Sequence, residues 1–244
     1  MPRQRETRAS PRAARRRGRN LDVGSVGQIH ASLAVLRAYR GEPYEDELAA
    51  ALAGAPRDDP QARGGIEDLD AGIALAEGRY DDADRHGWVA LAEFPGSMTP
   101  SAQASIGRAG LWSRRADRAR RARESLEGHP GRVTAALRRE LTAGIAALEG
   151  REDEAVDAFL EAGRAYGAMG VAFHRALCQI SLVATMGPGR RETGVATTDA
   201  RKTLADLRAA RFTERLDEVR GAVPARPAAP HVRDEAAEQA SIGG

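Results

Sequence analysis

Apolar positions along this chain recur with helical spacing, broken at intervals by glycine and short acidic turns, and one such unit comes back. Residues 71–83 read AGIALAEGRYDDA and residues 143–155 read AGIAALEGREDEA. The two share Ala, Gly, Ile and Ala, then Glu-Gly-Arg, then Asp and a closing Ala, 72 residues apart. Between them, residues 104–116 (ASIGRAGLWSRRA) keep Ala104, Ile106 and Ala116 at the same spacing, which gives offsets of 33 and 39 residues. A period in the mid-thirties predicts a series of helical hairpins.

Each unit has a direct physical reading. A first helix ends at Gly78 or Gly150, because glycine tolerates the left-handed conformation that closes a helix. Acidic residues follow (Asp81 and Asp82, or Glu152, Asp153 and Glu154), where they face the positive end of the next helix dipole. The second helix then places Ala155, Phe159 and Ala162 on one face, with Ala83, Gly87 and Ala90 as counterparts. Small residues there let two helices approach closely, and Pro95 stops the second helix of its unit. Val26–Leu52, turning at Gly41, reads as a first unit. Met169–Leu207, with Gly187-Pro188-Gly189 in its loop, reads as a last one, and a closing helix is expected at about 209–220.

Gly150, Ala155, Phe159 and Ala162, and Gly78-Arg79-Tyr80 with Ala83, Ala90 and Pro95, resemble the second-helix half of the tetratricopeptide repeat. The first-helix half departs from that pattern: Arg139 falls near the position of the family's large apolar residue. The resemblance covers residues 25–218 as four or five hairpins. It implies an all-α fold, a right-handed α-solenoid of helix-turn-helix hairpins, with an extended concave face for binding a protein or peptide. The segment Asp199-Ala200-Arg201, Leu204, Leu207-Arg208-Ala209-Ala210-Arg211-Phe212 and Glu214-Arg215-Leu216 is similar to the closing part of repeat arrays attached to bacterial regulatory ATPases, nucleotide cyclases and transcriptional regulators. No GxxxxGK[ST] loop, cyclase-like segment or helix-turn-helix accompanies it, so the expectation is a free-standing array or a detached piece of such a regulator.

Composition sharpens this picture. Of 244 residues, 49 are Ala and only 42 are Leu, Ile, Val or Phe, so helices must pack on small side chains around a thin core. Lys202 is the only lysine beside 36 arginines, a usage that with the Ala and Gly excess points to a GC-rich genome. Residues 1–20 hold eight arginines against Glu6, a local charge of +7, leaving 29 basic and 34 acidic side chains in the rest. The chain therefore divides into a disordered Arg-rich arm (1–20), a helical repeat domain (21–220) and a flexible tail (221–244) rich in Pro and Ala. The arm reads as a solvated extension, as a contact for nucleic acid or an acidic partner, or as a targeting signal. Asp22, Gln28 and His30 interrupt the apolar core a signal needs, and no aromatics are interleaved for stacking on bases.

Candidate chemistry is sparse. His174 and Cys178, four apart, have the spacing of a thiolate–imidazole pair, but Ala172, Leu177, Ile180 and Leu182 around them favour a buried, inert thiol. His86, four after Asp82, reads as a capping contact, and His30, His129 and His231 have no metal-ligand spacing. The acidic clusters at 81–84 and 152–157 lack the ligand alternation of a calcium loop, and GPGRRETG at 187–194 lacks phosphate-cradle spacing and its lysine. One cysteine excludes an internal disulfide and fits a reducing cytoplasm. No apolar run is long enough for a membrane span.

The one unusual surface is Arg114, Arg115, Arg118, Arg120, Arg121 and Arg123. On a helix, Arg114, Arg118 and Arg121 align as a stripe, with Arg115 beside it and Arg132, Arg138 and Arg139 as an extension. Arg114, Arg115, Arg118 and Arg121 are thus the candidate anion- or partner-binding residues, weighed against a solvated face paired with acids such as Asp117 and Glu124. Trp112 reads as a core anchor beside it. No catalytic residue, cofactor or metal is expected. The reading is a cytoplasmic, non-enzymatic protein-interaction scaffold; the alternative is a nucleic-acid-associated protein binding through residues 1–20.

Overall fold

A computed structural model describes residues 23–53, 59–93 and 100–221. The arm at 1–20, the tail beyond Gly221 and the stop expected at Pro95 lie outside the described residues. Among the described residues the chain forms eleven helices and no β-strand. They are α1 (Val23–Arg40), α2 (Glu45–Ala53), α3 (Pro60–Ala76), α4 (Tyr80–Glu93), α5 (Ser101–Trp112), α6 (Ala116–Ser125), α7 (Arg132–Leu148), α8 (Glu152–Ala168), α9 (Ala172–Met186), α10 (Arg191–Asp206) and α11 (Ala210–Gly221). Successive helices pack on one another except α2 and α3; α3 packs on α1 instead.

Local signals explain where helices start and stop. Asp59 accepts a hydrogen bond from the Gln61 amide (2.9 Å) and Pro60 opens the first turn of α3, satisfying donors that have no helical partner. Within each of the first five helix pairs, the turn holds a left-handed residue: Gly41, Gly78, Arg114, Gly150 and Gly187. These positions are 37, 36, 36 and 37 residues apart. The middle unit therefore begins at Gly107 rather than Ala104, and the offsets of 33 and 39 are corrected to 36 and 36. In the corrected register Ala83, Ala119 and Ala155 coincide, and all three are fully buried.

Small residues set the distance between first helices. Gly107 of α5 receives Leu141 of α7, and Gly144 of α7 receives Leu111 of α5. A Cβ on Gly107 would lie 2.6 Å from Leu141, so these reciprocal knobs hold α5 and α7 closer than alanine would allow.

The chain then returns on itself. The closing helix α11 packs on α9 and α10, and also on α1 and α3. Phe212 of α11 is fully buried, with its ring 4.9 Å from Tyr39 of α1, 6.2 Å from Trp112 of α5 and 5.2 Å from Phe173 of α9. Tyr39 also stacks on Phe173 at 5.4 Å, so the first and ninth helices meet. Arg211 lies over Gly41 and Arg215 over Gly78, setting cations at the C-terminal ends of α1 and α3, where the helix dipole favours them. Helices α1, α3, α5 and α9 thus all meet α11.

Candidate functional site

The interior holds a polar network that the sequence did not announce. Arg108 of α5 and Glu140 of α7, exposed by only 2% and 0% at their side chains, form a two-pronged ion pair at 2.9 and 2.8 Å. The Tyr166 hydroxyl of α8 and the Ser181 hydroxyl of α9 each donate to Glu140 at 2.9 Å, and the Trp112 indole donates to Ser181 at 3.0 Å. Four helices are tied at one carboxylate. Burial works to lower the Arg108 pKa, but the charge and hydrogen bonds of Glu140 outweigh it and raise it further, while burial pushes that of the Tyr166 phenol well up, so neither side chain exchanges a proton near neutrality. The cluster is closed and fully paired, which suits a structural clasp rather than a site.

His174 stacks on Tyr166 at 5.7 Å, away from any thiol partnership. Cys178 is buried, its thiol facing the Phe159 carbonyl and pushed up in pKa by burial. Burial and the nearby Arg108 charge hold the His174 pKa down at about 4. The unfolded chain binds that proton from about pH 6.5 downward and the folded one does not, so stability present at pH 7 is lost as pH falls through that window. After allowance for partial exposure, the expected loss by pH 4.5 is about 1–2 kcal/mol. Desolvation raises Asp68 and Asp70 and works in the opposite direction. Urea unfolding at pH 7 and 4.5 should therefore show His174→Phe removing about 1 kcal/mol of the acid sensitivity; an unchanged difference between the two pH values refutes the assignment.

The structure does not gather the four candidate arginines into one stripe. The helix begins at Ala116, and Arg114 precedes it at φ 59°, so Arg114 leaves the row. Its Nη1 donates instead to the Ala184 and Thr185 carbonyls at the end of α9 (2.9 and 3.1 Å). Arg115 stands exposed before α6. Arg118 pairs with Asp81 at 2.6 Å and faces Asp84, and Arg121 lies 4.0 Å from Asp84 and 5.7 Å from the centre of the Trp88 ring. Arg120 and Arg123 pair with Glu149 and Glu127. His86 bonds Glu67 rather than Asp82, and among the described residues no group of three or more His, Cys, Asp or Glu could hold a metal ion.

Two open features lie elsewhere: a shallow, polar one of about 500 Å³ where Arg40, Arg208, Glu214 and Asp217 meet, and a more enclosed, apolar groove of about 420 Å³ between α8, α9 and α10. Its floor is Phe159, Cys178, Leu182 and Ala196; Leu160 and Val195 stand at its sides, 42% and 55% exposed. Both α8 and α10 pack on α9. Gly163 and Gly167 of α8 leave the space between α8 and α10 empty: no atom lies within 4 Å of a Cβ built at Gly163. Comparison with protein-family models, curated proteins and solved structures finds no match. The groove's chemistry must be read from its own residues. Arg164 and Arg191 stand on its rim, with Arg175 paired to Asp199 at 3.4 Å, and the Gln179 Oε1 is buried beside it without a donor. A sequence signal existed. Two glycines four apart inside a helix each cost about 1 kcal/mol against alanine, so the pair on one face of α8 marks a place where side chains are withheld.

Proposed function

We propose that this chain is a non-enzymatic binding scaffold, a helical array of tetratricopeptide-like hairpins, that takes an apolar segment of a partner protein into the groove between α8, α9 and α10. The observation that carries this reading is the groove itself: two large apolar side chains left in solvent beside a space kept open by glycine, within the usual size of a binding cleft. The near-constant spacing of left-handed turns supports the repeat architecture, and the segment 199–216 carries the likeness to arrays of bacterial regulators. A cytoplasmic setting is part of the same proposal, supported by the single buried thiol. Among the described residues no helix is long and apolar enough to cross a membrane.

The test is capture from a lysate with four baits: the full chain, a chain starting at Asn20, Gly163→Leu, and the full chain after nuclease. Proteins retained by the first, second and fourth but lost with Gly163→Leu support the groove. Retention by Gly163→Leu at full strength overturns it. Loss with the arm or with nuclease, together with a steep fall between about 50 and 200 mM salt, transfers the function to nucleic-acid binding through residues 1–20.

A further inference from the structure

Helix α1 is packed with its faces reversed. It buries Ala31, Ala34 and Ala38 against the rest of the molecule and leaves Val26, Ile29, Leu33 and Leu36 in solvent at 43%, 57%, 40% and 49% exposure. Their spacing of three, four and three residues gathers them in one narrow stripe, the pattern of a two-helix seam. Leu52 of α2 is exposed as well, at the end of the hairpin where the Ala51 carbonyl lies against Gly27. A hairpin whose outer face met only water would carry polar residues here.

Neither segment flanking the described residues repeats the pattern of the stripe. Residues 1–22 contain Met1 and Leu21 as their only large apolar side chains, and residues 222–244 contain Val223, Val232 and Ile242, nine and ten apart among prolines and charges. Neither matches four apolar positions in eleven residues. A second copy of α1 does match them, because a seam of this spacing is complementary to itself. We propose that the chain self-associates through α1, two copies meeting antiparallel about a two-fold axis. Val26 then faces Leu36 of the second copy, and Ile29 faces its Leu33. The antiparallel sense follows from charge. A parallel pair would stack the two Arg40 side chains, which continue the seam by four residues, whereas antiparallel pairing separates them and opposes the helix dipoles.

The size of the patch sets the strength. An 18-residue helix is about 27 Å long, and one such helix with part of α2 falls short of the ~800 Å² per partner of a standard interface. The dimer is therefore weak, with Kd on the order of micromolar. It brings two α8–α10 grooves into one particle, which raises the avidity for a partner carrying two copies of the recognised segment.

Sedimentation equilibrium of the full chain from about 1 to 200 μM reads this directly, the range bracketing a micromolar Kd. The expected result is a shift from monomer to dimer mass, unchanged or strengthened at 1 M salt because the contact is apolar. Ile29→Glu and Leu33→Glu each place two charges in the seam and should raise Kd by at least about 100-fold, with the helical circular dichroism and melting curve retained. Val26→Cys/Leu36→Cys should cross-link into a covalent dimer on mild oxidation, while Val26→Cys alone should not. Monomer mass at every concentration overturns the proposal. A dimer that survives Leu33→Glu also overturns it, and cross-linking of Val26→Cys alone overturns the antiparallel sense.

Discussion

Glu140→Ala is expected to destabilise the protein by about 3–5 kcal/mol, because it leaves the Arg108 guanidinium buried without a counter-charge. It also strips an acceptor from Tyr166 and Ser181, so one substitution loosens α5, α7, α8 and α9 together. For a domain of this length that is a fall in Tm of about 10–15 °C, and against a total stability of 5–15 kcal/mol it approaches failure to fold. The size of the effect does not mean that the pair itself stabilises by that amount. Two charges brought out of water recover little more than they lose, so Arg108→Met/Glu140→Leu with Tyr166→Phe should return most of the stability. Urea denaturation of the single and triple variants measures both. A loss below 1 kcal/mol for Glu140→Ala would mean that water reaches the pair, and a triple variant no better than the single would mean that the network determines the packing.

The hairpin turns were readable because Gly78 and Gly150 advertise the left-handed conformation, and both adopt it. The buried faces of α4 and α8 were readable for the same local reason, since Ala, Gly and Phe recur there at helical spacing. The middle unit was misregistered because its left-handed residue is Arg114. That conformation costs a non-glycine residue free energy, and the hydrogen bonds offsetting it lie 70 residues away on α9. Arg108 and Glu140 carry no sequence signal for a related reason. In a chain with 36 arginines, a single buried one looks like any other until its partner, 32 residues on, is placed beside it. The arginine stripe failed as a unit because the acids that engage Arg118 and Arg121 belong to α4, a different hairpin. The contacts of α11 and the groove both depend on which non-neighbouring helices meet. Helical periodicity reports only which side of each helix is apolar. Even that was incomplete at α1, where alanines face inward and the large residues face water.

Phe212→Ala should produce a loss of similar size, about 3–5 kcal/mol, since it empties a fully buried site among the rings of Tyr39, Trp112 and Phe173. Leu207→Ala, at an exposed position on the preceding turn, should stay within about 0.5 kcal/mol and serves as the control. The manner of the loss decides what α11 is. Were it a detachable cap, the variant would release α11 alone: hydrogen exchange would accelerate at residues 210–221 while α1 and α9 kept their protection. The geometry favours the other outcome. Phe212 is the shared contact of the first, fifth and ninth helices, and Arg211 and Arg215 bind the ends of α1 and α3. Removing it withdraws the element on which the first and last hairpins meet. Protection should therefore fall together in α1, α9 and α11, within a single melting transition lowered by about 10 °C. Exchange confined to α11 would instead show that Tyr39 and Phe173 suffice to hold the two ends of the array together.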